Sequence, residues 1–435
     1  MNNLRKTLFA AVMLLVATGT YGQLTYIGSP AQDLSWMSNP LMKLKQDTLF
    51  VPTQNGLFKK SLQSGGTTWI AAGFQGLKIN DFVLIGQDTI VCVADSTAGN
   101  TIFTSVNNGN SFVNTTNGFG ATGIDFQPGT RIDVNPNNHQ ELIAMSGSCV
   151  ARSTDFSASW SPIYLDWGYS VYQPSVLRYH PLNPAYIYSG GELSLFDSYL
   201  AYSLDAGANW AVSAVETNQA VNGIAFHPTN TDTLFIGKEG SIHRSVNKGA
   251  SWSNVFTTPN YEYIYSVVYD PNNSNILYAA GAINGENDTV RIFRSTNGGS
   301  NWSEWYQESF PGSDKQVINM VMYNTTLCLL TRDHSSNLTG VYKLDASTAS
   351  VPHLVQENLH IFPNPFSGET TIRAEKPFTN AELSIVNSLG EPVKHIHHIS
   401  GPEIKIARET LPSGVYVVRI TGETESYTQK MVVRD

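Results

Sequence analysis

The sequence predicts an all-β chain, a seven-bladed β-propeller followed by a small immunoglobulin-like β-sandwich. Three observations predict it. An eight-residue pattern recurs at intervals of 40 to 50 residues. Short β-rich runs broken by Pro, Asn and Gly fill the intervals. After Asp345 the repeat stops and a β segment of different character begins.

The pattern reads Ser-x-Asp/Asn-x-Gly-x-x-Trp, and at least five copies start at Ser105, Ser153, Ser203, Ser245 and Ser295, spaced 48, 50, 42 and 50 residues apart. A unit of that length repeated along a chain means stacked or radially arranged modules. Each position suits a tight hairpin. The acid or amide can bond its own backbone two residues on, Gly takes positive φ freely, and Ser can tie the turn to the preceding strand. The residues assigned this structural role are Ser105, Asn107 and Gly109; Ser153, Asp155 and Trp160; Ser203, Asp205, Gly207 and Trp210; Ser245, Asn247, Gly249 and Trp252; and Ser295, Asn297, Gly299 and Trp302.

Upstream of each pattern lies the rest of a blade. Residues 263–270 alternate as a strand, Pro271-Asn272-Asn273 turns the chain, and residues 276–281 and 290–294 lead into the next copy. The same order recurs from Val221, Ser175 and Arg131, with degenerate versions from Ile79 and Gln316 and a first segment from Leu41 whose pattern, Ser61 to Trp69, is eroded. That makes seven units; six or eight stay compatible because the terminal units are worn. The last unit lacks a terminal aromatic, and Leu24 to Gly28 looks like a strand without a pattern before it. Pairing the two ends would complete the seventh blade and remove an open sheet edge.

The eight-residue pattern resembles the Asp-box of sialidases, sortilin-type receptors, xyloglucanases and photosystem assembly factors. The resemblance implies a structural staple on the outer hairpin of a blade, remote from any active site.

Residues 1–22 read as a signal peptide, with Arg5 and Lys6 before an apolar run from Leu8 to Ala17, and cleavage expected before Gln23. No stretch is long and apolar enough to predict a membrane span. Only 14% of residues are charged and 11% are aromatic, with 35 Gly, a composition of strands and turns. A net charge of -9 without a basic cluster excludes nucleic acid as the partner. Cys92, Cys149 and Cys328 sit in apolar strand patterns and read as buried small hydrophobes, one disulfide being the alternative. No cofactor and no metal motif is read, and the chain is expected to be a monomer.

The expected units are a propeller over 23–345, a linker over 346–357 and a β-sandwich of about seven short strands over 358–435. The last segment carries Pro363-Asn364-Pro365, a turn ending in Leu389-Gly390, a strand opening Gly414-Val415-Tyr416 and a closing Lys430-Met431-Val432-Val433. In this order these landmarks resemble the type A C-terminal sorting domain of the type IX secretion system of Bacteroidetes. The resemblance implies recognition by that machinery at the outer membrane, then delivery to the cell surface or the medium. His395, His397 and His398 lie on one strand and two of them share a face. With no third ligand in view, they read as solvent-facing.

For the propeller, two functions are expected to compete. One is a binding or adhesion protein, taking a polysaccharide or a surface protein through aromatic residues on blade connections, with Asp166, Trp167, Tyr169, Tyr263 and Trp305 the assigned ligand residues. The other is a glycoside hydrolase, sialidase-like or xyloglucanase-like. It would need paired carboxylates, and Asp81, Asp133, Asp166 and Asp270 lie near inner-strand starts. No catalytic residue is assigned. Four Asp-Thr-aliphatic triplets, at Asp47, Asp88, Asp232 and Asp288, resemble O-glycosylation acceptors in Bacteroidetes and equally suit ordinary turns.

Overall fold

The computed structural model describes residues 23–30, 41–95, 101–117, 119, 130–146, 149–165, 171–193, 197–215, 219–283, 288–333, 336, 338–347, 359–387, 392–421 and 426–435. The chain divides into two compact units, Met1–Ala349 and Ser350–Asp435. The signal segment and most of the expected linker lie outside the described residues.

The first unit is seven four-stranded antiparallel sheets. Their first strands are Lys43–Lys45, Lys78–Ile85, Arg131–Val134, Val171–His180, Val221–Phe226, Tyr263–Asp270 and Lys315–Tyr323. Residues of all seven line one cavity of about 520 Å³, the central channel of a propeller. The seventh blade closes as the sequence predicts. Thr25–Tyr26 pairs with Leu338–Asp345 in the register Thr25↔Lys343 and Tyr26↔Tyr342, so the first and last strands of the propeller share one sheet. Leu24 and Ile27 are buried on either side of that strand, which anchors the closure by apolar burial as well as by the ladder.

The five repeats share one hydrogen-bond pattern. Each Ser hydroxyl is buried, donates to the Asp or Asn carboxyl or amide oxygen at 2.8–3.0 Å, and accepts the backbone N–H four residues on at 2.8–2.9 Å. The acid or amide oxygen accepts the N–H four residues beyond it, at 2.8–3.0 Å, rather than two as the sequence reading expected. The short-range bond belongs to the serine instead. In the third blade Ser157 stands at the glycine position with φ +68°.

Each box also docks on the preceding blade. A Cβ at Gly299 would lie 2.2 Å from the Phe235 ring. The Trp160 indole donates to Thr115 O at 3.0 Å, Trp252 to Ser213 Oγ at 2.8 Å, Tyr188 Oη to Lys248 O at 3.1 Å and Arg152 to Ala206 O at 2.7 Å. The box therefore staples its own hairpin and seals the seam between blades.

Boxes and first hairpins sit at one end of the channel. The starts of the first and third strands and the ends of the second and fourth sit at the other, termed here the mouth.

Among the described residues the second unit, a small β-sandwich, has five strands where the sequence reads about seven. Two of them, Glu369–Val386 and Pro392–Ala407, are long and pass through both layers with several register shifts. The first pairs with His360–Phe362 at one end and with Gly414–Thr421 at the other, which is how strands turn a corner between packed sheets. One apolar cluster, including Phe366, Ile372, Leu383, Ile385, Val418 and Met431, fills the space between. Cys92, Cys149 and Cys328 are all buried, and none of them forms a disulfide.

Candidate ligand site at the channel mouth

The inner strands are bent alike. Those starting at Lys78, Val171, Val221, Tyr263 and Lys315 each carry a register shift in their first half, placing an extra residue at Asn80, Ser175, Asn222, Tyr265 and Ile318. A bulge re-aims side chains and sharpens twist. Here it turns polar groups toward the next blade. Ser175 Oγ donates to Val221 O, and Ser266 Oγ accepts Met320 N–H at 3.1 Å.

Two inner-strand aspartates work the same way. Asp81 accepts Ile132 N–H at 3.2 Å and pairs with Lys43 at 2.8 Å, fully buried. Burial by itself would raise its carboxyl, but Lys43, Arg178 and Arg131 outweigh burial and hold it below the usual range. Asp133 accepts Tyr179 N–H at 2.9 Å. Burial pushes it up against the pull of Arg178 and Lys43. Both carboxylates are thus engaged as ties between blades two, three and four. Asp270 caps the far hairpin through Asn272 N–H at 2.8 Å, and Asp166 lies outside the described residues.

At the mouth the picture changes. Tyr261, Tyr263 and Tyr265 form a ladder of edge-to-face rings, with centroids 5.9 Å and 6.5 Å apart. Tyr261 is 48% exposed, Tyr263 is half-buried and Tyr265 lines the channel. The ladder is built deliberately. Tyr261 has φ +59°, a strained conformation for a bulky residue. Its turn is held by Glu262, which accepts the Asn260 N–H and amide at 3.1 Å each. Its ring covers Gly240, where a Cβ would fall 2.6 Å from the ring, and Gln219 donates to its hydroxyl at 2.7 Å.

Beside the ladder lie two carboxyls. Burial pushes Glu239 up to about 7, helped by the negative charge of Glu192 and opposed by Lys238. Glu192, itself buried, is raised by burial. Burial also lifts the Tyr265 hydroxyl to about 12, with Arg332 opposing and Glu239, Tyr263 and Glu192 reinforcing. The mouth thus joins aromatic faces to a rim of acids and one guanidinium.

Of the assigned ligand residues, Tyr263 is in this site. Asp166, Trp167 and Tyr169 lie outside the described residues. Trp305 is not on a connection. It lies in the outer strand Ser303–Ser309 of blade six, 8% exposed and 5.0 Å from the Tyr278 ring. Its ring therefore packs the seam with blade seven instead of facing a ligand. Sequence reasoning passed over Glu192 and Glu239; the available signal was a Glu beside Gly in a strand-two to strand-three hairpin, at Gly190-Gly191-Glu192 and Glu239-Gly240. Of the Asp-Thr triplets, Thr89, Thr233 and Thr289 are buried. Thr48, Thr89 and Thr289 donate to the preceding aspartate at 3.0, 3.3 and 2.8 Å, as turn chemistry requires.

In the second unit the sorting landmarks meet in space. The Asn364 side chain donates to Lys430 O at 2.9 Å and accepts Val432 N–H at 2.7 Å, joining Pro363-Asn364-Pro365 to the closing strand. Thr370 donates to Pro363 O at 2.8 Å. Tyr416 donates to Pro412 O at 2.7 Å, beside Gly414. Leu389 and Gly390 lie outside the described residues. Residues 360–434 match the secretion system C-terminal sorting domain. The second unit is such a domain.

Residues 198–342, from the third strand of blade four into blade seven, match sortilin (neurotensin receptor 3). Among solved structures, the chain is similar to a GH74 xyloglucanase from Xanthomonas campestris, at 12% identity and TM-score 0.58, covering 94% of this chain and 75% of that one. It is similar to YCF48 bound to D1 peptide, at 12% identity and TM-score 0.54, covering 75% and 96%. It is similar also to PorZ, an essential bacterial surface component of the type IX secretion system of Porphyromonas gingivalis, at 12% identity and TM-score 0.53. That match covers 95% of this chain and 61% of PorZ. At such identities the likeness shows the fold, an Asp-box propeller. A search of curated proteins returned no match. Among the described residues, no helix is long and apolar enough to cross a membrane.

Proposed function

We propose that this is a non-catalytic binding protein that holds a polysaccharide at the propeller mouth, acting as a monomer outside the cell. Export follows the general route through the N-terminal signal, then the type IX machinery through the sorting domain. The observation that carries the binding reading is the ladder of Tyr261, Tyr263 and Tyr265, graded from exposed to channel-lining. Flat rings suit stacking on sugars, and the rim of Glu192, Glu239 and Arg332 suits their hydroxyls. The engagement of Asp81 and Asp133 with cations and backbone N–H groups argues against their use as a hydrolytic pair.

A second reading rests on one specific observation. Glu239, ionising at about 7 next to Glu192, has the character of a general acid in a glycoside hydrolase. One panel separates the two: purified full-length protein against polysaccharides and sialosides, scored for retention and for released sugar. The binding reading expects retention without release, falling about tenfold or more in Tyr261→Ala and Tyr263→Ala. Absence of retention throughout, or retention untouched by both variants, rejects it. Sugar release abolished in Glu239→Gln puts the hydrolase in its place.

A further inference from the structure

In the sorting unit, His395 and His397 lie on the long strand Pro392–Ala407 and Glu382 on its neighbour Glu369–Val386. Alternation puts the two histidines on one face. The pairing then changes. Ala381 faces Ile399 and Leu383 faces Ile396, so two steps on one strand meet three on the other. The extra residue is absorbed at His398, whose φ is +55°, a bulge that leaves Ile399 buried and sets His395, His397 and His398 all outward.

The bulge brings Glu382 between the two imidazoles. Its carboxylate is 3.0 Å from His397 Nδ1 and 3.9 Å from His395 Nε2, and one donor atom from each of the three residues lies within 4.8 Å of the others. The His395 and His397 rings stand 4.2 Å apart at 76°. Around a tetrahedral zinc ion with bonds of about 2.0–2.1 Å, donor atoms sit about 3.4 Å apart. The observed spacings bracket that value, so small rotamer changes suffice. His398 is not part of the set, and its Nδ1 lies 3.0 Å from Asn380 Oδ1.

We infer that Glu382, His395 and His397 form a zinc site on the exposed face of the sorting domain. Two imidazoles and one carboxylate are the donors borderline cations of this class take, and three protein ligands leave the fourth position to water or to a donor from outside the chain. The ion bridges the two long strands at their bulge and fixes the register of a hairpin that packs both layers.

The test uses the full-length protein with zinc and cobalt salts. Equilibrium dialysis with elemental analysis is expected to give one zinc per chain, cobalt a tetrahedral visible spectrum, and hydrogen exchange zinc-dependent protection over 380–400. His395→Ala, His397→Ala and Glu382→Gln should each weaken zinc binding about tenfold or more, whereas His398→Ala retains it. All four positions are exposed, and a circular dichroism spectrum checks that each variant folds. Failure to bind zinc, binding unaffected by the three variants, or protection appearing elsewhere would overturn the site. None of these outcomes bears on the polysaccharide reading of the propeller.

Discussion

The two ends of the propeller are built on opposite plans. At the box end, five hairpins repeat the same bonds to within 0.2 Å, each serine buried and each turn lodged on the preceding blade. Among the described residues at the mouth, the side chains of the candidate site differ from blade to blade: one blade supplies three tyrosines, two others supply Glu192 and Glu239, and another Arg332. The difference separates what holds the ring from what the ring presents. Repetition is cheap to encode where the same seam must be sealed many times, and a binding surface needs residues that differ from blade to blade.

The contrast can be broken first at Gly299. Valine there combines φ +78° with a Cβ 2.2 Å from Phe235, and is expected to destabilise the propeller by about 3 kcal/mol in denaturant unfolding. Gly298, with φ +67° but only an ordinary contact for a Cβ, 3.8 Å from Asn275 Oδ1, is the internal control. Gly298→Asn should cost less than about 1 kcal/mol, because Asn108, Ala206 and Lys248 take the same conformation at that position. Equal losses at both glycines would mean that docking on the neighbour contributes nothing.

Next comes the serine. Ser295→Ala leaves Gly299 N–H without its acceptor in a buried turn and should cost about 2 kcal/mol. The same change at Ser105, Ser153, Ser203 or Ser245 should give a similar loss, and a scatter larger than the mean would undo the idea of equivalent staples.

The smallest effect belongs to the mouth. The folded Glu239 carboxyl ionises at about 7 against a normal 4.5. Between those values the folded chain keeps a proton that the unfolded chain has released, so stability is full below 4.5 and declines as pH rises through 7. Glu239→Gln removes this dependence. Its melting temperature should fall less than that of the parent between pH 5 and pH 8, and parallel curves would show that the fold does not raise the Glu239 carboxyl.

Much of the ring was legible because its signals are local. The Ser to Trp spacing, the Pro-Asn turns and the alternating strands each act over a few residues, and together they gave seven blades and the pairing of Leu24 to Gly28 with the last unit. The errors have long-range causes. Trp305 reads as a surface aromatic on a connection, but the strand after the box runs longer than its pattern suggests and buries the ring against Tyr278. The short runs of the sorting domain read as separate strands, whereas bulges let two chains of 18 and 16 residues continue around a corner. His395 and His397 lacked a third ligand because Glu382 is thirteen residues away along the chain and beside them only across a bulge.

The sequence by itself determined the kind of module and its export tag, since turn chemistry, strand alternation and ordered landmarks are written in neighbouring residues, while the count of seven was fixed by the sheets of the folded chain. Only the tertiary structure decided which polar groups share a place. Asp81 with Lys43, Glu192 with Glu239, and Glu382 with two histidines come from different strands or different blades. Burial and mutual charge, which set their chemistry, exist only once those strands are packed side by side.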